Sequence, residues 1–241
     1  MLEFENVSKS FGGLKVIDQV SFTVRRGSRT ALIGPNGAGK TTLFNLISGV
    51  YPLDAGAINL EGEDIAAMAP RLRIARGIAR SFQNVRLMPH LSTVENVMLG
   101  EHWRASPLAL AQGRRAAQAA RAALDAAGLS DYPGQVVSNL PYGVQKRIEV
   151  VRALAAKPKL LLLDEPAAGL NPAEGEALGV LLERASAGGI TLLVVEHNMH
   201  FVRRLCDRVV VLNFGRKLFE GTPDEVHRDP AVREAYLGVA A

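Results

Sequence analysis

Cysteine is almost missing from this chain, with Cys206 alone among 241 residues. A single thiol excludes an internal disulfide framework and fits a reducing compartment. Long apolar runs are missing too: "KLLLLD" and "TLLVVE" are the richest stretches, far short of the ~20 residues a membrane span requires. The opening "MLEFENVSKS" lacks the basic, apolar and small-residue series of a secretion signal, so the chain is expected not to enter a membrane on its own. No N-K-x-D segment that would read guanine occurs, and His90, His102, His200 and His227 show no metal-ligand spacing. The excess of one charge sign is small as well, with 28 basic against 24 acidic side chains. The net charge of +4 is spread over interleaved acids and bases, except around "PRLRIARGIARSFQNVR", which is equally a docking surface or a solvated face. No nucleic-acid partner is expected. There is no internal repeat, and low complexity is approached near residues 114–127.

What the chain does have is apolar content, 48%, at a length that supports a sizeable core. "LEFENV", "VIDQVSFTV" and "RTALIG" alternate as strands, broken at "FGG" and "RRGS". From Pro70 to about Ala156 the texture turns alanine-, leucine- and arginine-rich with helical spacing, in "TVENVMLGEHWR", "PLALAQGRRAAQAARAALDAAG" and "YGVQKRIEVVRALAAK". After Pro158 strands and helices alternate again, the pattern of a parallel sheet covered by helices. The expected fold class is α/β, its core divided in sequence by a helical insertion.

"GPNGAGKTT" supplies the first chemistry. Gly34, Gly39, Lys40 and Thr41 stand in the G-x-x-x-x-G-K-[ST] spacing of a phosphate loop between a strand and a helix. Glycines let the backbone curl so that N–H groups point inward, and the helix start adds the positive end of its dipole. Lys40 is expected to reach the β and γ phosphates and the Thr41 hydroxyl to ligate Mg²⁺. "KLLLLDEP" ends a buried strand in Asp164 and Glu165, at the sheet edge where the phosphate loop lies. Asp164 is placed to bind Mg²⁺, mostly through water, and Glu165 to polarise a water in line with the γ-phosphate. Taken alone, two acids are equally a solvated strand end. "TLLVVEHNM" reads as a strand ending at His197, whose imidazole is expected to bond the γ-phosphate. Gln83 in "RSFQNV" is read as closing a short strand before the insertion; its amide can serve a water and a phosphate, or it is an ordinary loop glutamine.

In this order and spacing, "GPNGAGKTT", "SFQ", "LPYGVQKR", "LLLLDEPAAGLNP" and "VVEHN" resemble the ATP-binding cassette family along nearly the whole chain. The resemblance implies a phosphate-loop, RecA-like core with an N-terminal antiparallel β subdomain and an inserted helical subdomain. The corresponding boundaries are 1–84 for the β subdomain and first part of the core, 85–156 for the helical insertion, 157–221 for the second part of the core, and 222–241 for a helical tail. It implies an ATPase working as a head-to-tail dimer, with nucleotide held by Phe11, Gly34, Pro35, Asn36, Gly37, Ala38, Gly39, Lys40, Thr41, Thr42 and Asp164. Phe11 matches the aromatic that stacks on adenine. Glu165, His197 and Gln83 are the implied catalytic residues, and Thr41, Gln83 and Asp164 the implied Mg²⁺ set.

"SFQNVRLMPHLSTVENVMLG", "LPYGVQKRIE" and the tail "VREAYLG" resemble one ATPase subunit of the high-affinity branched-chain amino acid importers. That branch implies a second cassette, two transmembrane permease subunits, a periplasmic or extracellular solute-binding protein, and a place at the cytoplasmic face of the membrane. Urea, short amides and aromatic acids are alternative cargoes, and a soluble cassette protein is the rival class. The family signature L-S-G-G-Q stands here as Leu140, Pro141, Tyr142, Gly143 and Val144, without the serine hydroxyl that contacts the partner's γ-phosphate. Asn171, in the loop that crosses to the partner, replaces the usual aspartate.

Overall fold

In a computed structural model of the chain, residues 1–81, 83–101 and 113–237 are described. Phe82 of "SFQ", residues 102–112, which take in His102, the end of "TVENVMLGEHWR" and all but the last residue of "PLALAQG", and the last four residues of the tail lie outside them.

Two sheets organise the molecule. The first is antiparallel in the order β2-β1-β4-β5, from β1 (Leu2–Phe11), β2 (Leu14–Val24), β4 (Ala55–Leu60) and β5 (Glu63–Asp64). Gly12 and Gly13, both at positive φ, close the β1–β2 hairpin. Alternation puts Leu2 and Phe4 inward, a register shift around Asn6, at φ +49°, brings Val7 to the same face, and Phe4 stacks on its cross-strand partner Phe22 at 4.2 Å.

The second sheet has the order β10-β9-β3-β8-β7-β6. Its strands β6 (Ile78–Arg80), β7 (Leu160–Asp164), β8 (Thr191–Val195), β3 (Arg29–Ile33) and β9 (Arg208–Asn213) run parallel, and β10 (Arg216–Gly221) closes one edge antiparallel. Every residue of β7 and β8 is buried, which is why "LLLLD" and "TLLVV" read as unbroken apolar runs. Successive residues serve opposite faces. Leu160, Leu162 and Leu193 pack beneath the first sheet and α1 (Lys40–Ser48), whereas Leu161, Leu163 and Val194 pack against α5 (Tyr142–Ala155), α6 (Pro172–Ala187) and α7 (Met199–Leu205). A buried leucine contributes roughly 1.5 to 3 kcal/mol, so this two-faced sheet is the main source of cohesion.

Between β6 and β7 the chain forms α3 (Thr93–Leu99), α4 (Gly113–Ala126) and α5, preceded by the short α2 (Pro70–Ala75). Ser92 and Glu95 start α3 with a reciprocal capping box. Helices α8 (Pro223–Arg228) and α9 (Pro230–Leu237) follow the second sheet. No helix among the described residues is long and apolar enough to cross a membrane. Two sequence expectations need correction. β8 stops at Val195, two residues before His197, because Glu196 turns its carboxylate onto the next backbone N–H groups and Asn198 caps α7. β6 stops at Arg80, so Gln83 stands in the loop beyond it, where its carbonyl accepts a hydrogen bond from Lys146 Nζ at 2.7 Å.

Candidate functional site

The phosphate loop leaves β3 where the later strands β8 and β9 flank it, at the carboxyl edge of the parallel sheet. Its glycines are dictated by close approach. A Cβ on Gly39, at φ +100°, would lie 2.4 Å from Ile17 Cδ1 and 2.9 Å from Val16 O, and one on Gly34 would lie 2.2 Å from Leu212 O. Gly37 instead meets nothing within 4 Å, so its side of the loop is open. Gly39 also occupies the cap position of α1 without a side-chain cap, and the first turn carries no acid, so the helix presents uncompensated N–H groups to an anion.

Lys40 is 6% exposed, and its Nζ donates to the carbonyls of Gly34 at 2.7 Å and Pro35 at 2.9 Å. Burial lowers its pKa, opposed by the negative charges of Glu165 and Asp164. Ala38 is buried, Pro35 and Thr42 half-buried, and Asn36 and Thr41 exposed.

Asp164 ends β7 and is 5% exposed, with Oδ2 accepting from Arg80 Nη2 at 2.9 Å. Glu165 follows in the left-handed region at φ +46°, its N–H donating to Val195 O at 2.9 Å. A glutamate held there is backbone strain of the kind found at working sites, and it turns the carboxylate away from the strand. Gln83 Nε2 donates to Glu165 Oε2 at 2.8 Å, and His197 Nε2 lies 3.2 Å from Glu165 Oε1. Gln83, Glu165 and His197 are thus assembled around one carboxylate. Beneath them Glu196, 3% exposed, accepts from the backbone N–H groups of Ala167, His197 and Asn198. One buried acid therefore holds both the turn after Glu165 and the turn carrying His197.

Phe11 lies at the end of β1, 39% exposed, its ring edge-on to Tyr51 at 5.0 Å and beneath Lys9 Nζ at 5.3 Å. The altered signature starts α5. Pro141 occupies the cap position and gives no side-chain cap, Tyr142 is exposed, and Leu140 and Val144 are buried in the core. Val144 therefore presents no side chain to a partner. Gly143 lies against the Glu174 carboxylate, where a Cβ would come within 2.3 Å of Oε1. That carboxylate accepts from Asn171 N while Asn171 Oδ1 accepts from Glu174 N, a capping box at the start of α6. Asparagine caps a helix as well as aspartate does.

Sequence reasoning missed Arg80, Lys146 and Glu196. Glu196 carries a signal, an acid terminating the apolar run "TLLVVE", but an acid at that place reads equally as a strand residue. Arg80 and Lys146 carried none, because their partners Asp164 and Gln83 are far away along the chain.

The family model for ABC transporters matches residues 17–168, and a model described as branched-chain amino acid ATP-binding cassette transporter matches 216–241. The high-affinity branched-chain amino acid transport ATP-binding protein BraF of Pseudomonas aeruginosa is 38% identical over 100% of this chain and 98% of its own length. Among solved structures, the ADP conformation of an ATP-binding cassette of an ABC transporter is 33% identical, with a TM-score of 0.89 over 99% of each chain. The dimeric post-hydrolysis state of another cassette, bound to ADP and Pi, is 25% identical, with a TM-score of 0.81 over 92% of this chain and 99% of that one. With this fold, and with a phosphate loop facing an acid pair at the carboxyl edge of the sheet, the chain belongs to the ABC transporter family as one of its ATP-hydrolysing cassettes.

Proposed function

We propose that this chain powers an importer of branched-chain amino acids or related small polar solutes from the cytoplasmic face of the membrane. In this reading it pairs head to tail with a second cassette and docks on two permease subunits, which receive cargo from a solute-binding protein. The full-length likeness to BraF and the C-terminal match to the branched-chain family support the cargo, and the dimeric cassette bound to ADP and Pi supports the pairing.

The observation that carries the chemistry is the Glu165 carboxylate, bracketed by Gln83 Nε2 and His197 Nε2. The loop from Gly34 to Thr42 cradles the triphosphate, and Lys40 exchanges the carbonyls of Gly34 and Pro35 for β- and γ-phosphate oxygens. Phe11 stacks on the adenine. The site fits Mg²⁺, because an exposed Thr41 hydroxyl at the start of α1 and the Asp164 carboxylate are hard oxygen donors. Among the described residues no group of three or more His, Cys, Asp or Glu is arranged to hold a metal ion by itself. Gln83 would join Thr41 and Asp164 in holding the ion through its side-chain carbonyl oxygen. The metal would neutralise charge on the β- and γ-phosphate oxygens.

Glu165 orients a water in line and takes its proton as the water oxygen bonds to the γ-phosphorus and the bond to the bridging oxygen breaks. His197 donates to the γ-phosphate and stabilises charge gathering there. Gln83 reports the γ-phosphate to the helical insertion, because its carbonyl is fastened to α5 through Lys146.

The test is ATPase activity and uptake in proteoliposomes containing the permease subunits, both cassettes and the binding protein. Leucine, isoleucine or valine should stimulate hydrolysis, and Glu165→Gln should retain nucleotide while turnover falls by about 10²- to 10⁴-fold. Stimulation by urea, amides or aromatic acids alone would replace the cargo. Near wild-type turnover of the variant would remove Glu165 from its role.

A further inference from the structure

Arg80 is the last residue of β6 and pairs in register with Leu162 of β7. Paired residues of parallel strands point to the same face, and residues two apart on a strand share a face. Arg80 therefore lies diagonally beside Asp164, on the face that α1 covers. Its guanidinium is a fork. Nη2 donates to Asp164 Oδ2 at 2.9 Å, while Nη1 donates to Asn45 Oδ1 at 2.7 Å and to Ser48 Oγ at 3.2 Å, and the group lies 5.6 Å from the Phe44 ring centroid. Both ends of the ion pair are about nine-tenths buried, at 10% and 8% exposure.

The acceptors on α1 follow a pattern. Thr41, Asn45 and Ser48 stand at i, i+4 and i+7, one stripe of the helix. The residue that would give its hydroxyl to the metal is one turn above the residues Arg80 grips, and the residue that would give its carboxylate is gripped by the same guanidinium. A guanidinium spans both elements with donors on separate nitrogens, whereas a lysine ammonium offers its donors from a single point.

We propose that Arg80 is a positioning residue for the metal: it fixes the Asp164 carboxylate to the Thr41 face of α1 and so sets the spacing of the two oxygen donors. One Asp164 oxygen is committed to Arg80, and the other is held for the ion and its waters. The inference rests on the ATP and Mg²⁺ reading of the site. It also makes β6, which leads directly to Gln83, a mechanical neighbour of the metal donors.

The test measures binding of a fluorescent ATP analogue to the full chain in EDTA and across a Mg²⁺ titration, for the wild type, Arg80→Met, Arg80→Lys and Asn45→Ala. Loss of a group supporting a metal ligand typically lowers metal affinity 10- to 100-fold, so the Mg²⁺ half-saturation of Arg80→Met should rise by about tenfold or more. Its affinity in EDTA should stay within about twofold, since Lys40 and the loop are untouched. Arg80→Lys and Asn45→Ala should shift the titration less and in the same direction, and they carry the test should Arg80→Met fail to fold. Unchanged half-saturation in the folded variants overturns the proposal. Equal loss with and without Mg²⁺ also overturns it, because that marks a purely structural role. A wild-type chain that binds the analogue equally in EDTA and Mg²⁺ instead refutes the metal reading on which the proposal stands.

Discussion

Replacing Glu196 with glutamine changes one oxygen to nitrogen at the point where two turns of the site meet. The carboxylate accepts three backbone hydrogen bonds, from Ala167 N at 2.8 Å on Oε1 and from His197 N at 2.9 Å and Asn198 N at 3.1 Å on Oε2. A glutamine carbonyl can keep the pair on Oε2, but its NH₂ then faces the Ala167 N–H, so one bond is lost and a buried donor is stranded. That costs about 1 to 3 kcal/mol, and the two surviving bonds weaken by about 1 kcal/mol each on losing charge assistance. Against this, a neutral amide is cheaper to bury than a carboxylate, which returns part of the loss. The net is about 2 kcal/mol, and at roughly 2 to 4 °C per kcal/mol for a chain of this size, Tm should fall by about 4 to 8 °C in calorimetry. Glu165 and His197 move with these turns and the phosphate loop does not, so kcat should fall while the affinity for ATP changes little. A Tm within about 1 °C of wild type together with an unchanged kcat would refute the reasoning.

Gly39→Ala should lower the denaturation midpoint by the equivalent of at least about 2 kcal/mol, because alanine at φ +100° is strained and its Cβ runs into Ile17 and Val16 O; a midpoint equal to wild type contradicts the packing of the loop on β2. Cys206 is buried at the end of α7, and burial pushes its thiol up to about 12, so a disulfide reagent at pH 8 should leave the native chain unlabelled and modify it fully in denaturant. The same shift has a stability sign: the folded thiol titrates above the ordinary 9.0, so its contribution is full below pH 9 and is lost as pH rises from there towards 12. Rapid labelling of the native chain would contradict both statements.

Much of this was legible in the sequence, for physical reasons that differ by element. The phosphate loop was readable because its spacing is complete within nine residues, although the neighbours that demand glycine at 34 and 39, Leu212 and the Val16–Ile17 pair, lie outside it. β7 and β8 were readable because strands buried on both faces lose their alternation and leave a signature in composition. The end of β8 was not, because an acid closing an apolar run reads as one more strand residue: its bonds to His197 N and Asn198 N leave no pattern in the sequence, and its third partner, Ala167 N, arrives only when the turn after Glu165 packs beside it. Arg80 looked like one more base in a basic stretch. Its significance comes from pairing β6 with β7, a contact across the helical insertion, and from the stripe on α1 that meets it. Asn171 departs from the family pattern, and its capping box shows that asparagine meets the local demand of the α6 start as aspartate would.

The position of β3 has a consequence for how the protein is made. Its hydrogen-bonding neighbours in the sheet are β8 and β9, and β8 begins roughly 160 residues later in the chain. At synthesis rates of about 5 to 20 residues per second, the strand that carries the phosphate loop waits on the order of 8 to 30 s with both edges open. An apolar strand with unpaired edges is a template for association with other chains. During that interval "TALI" has only the first sheet and α1 to cover it, so the N-terminal half is the part of the nascent chain that most needs a holding chaperone. A slowed ribosome between α6 and β9 would lengthen the exposure of the same strand around which the finished site is built.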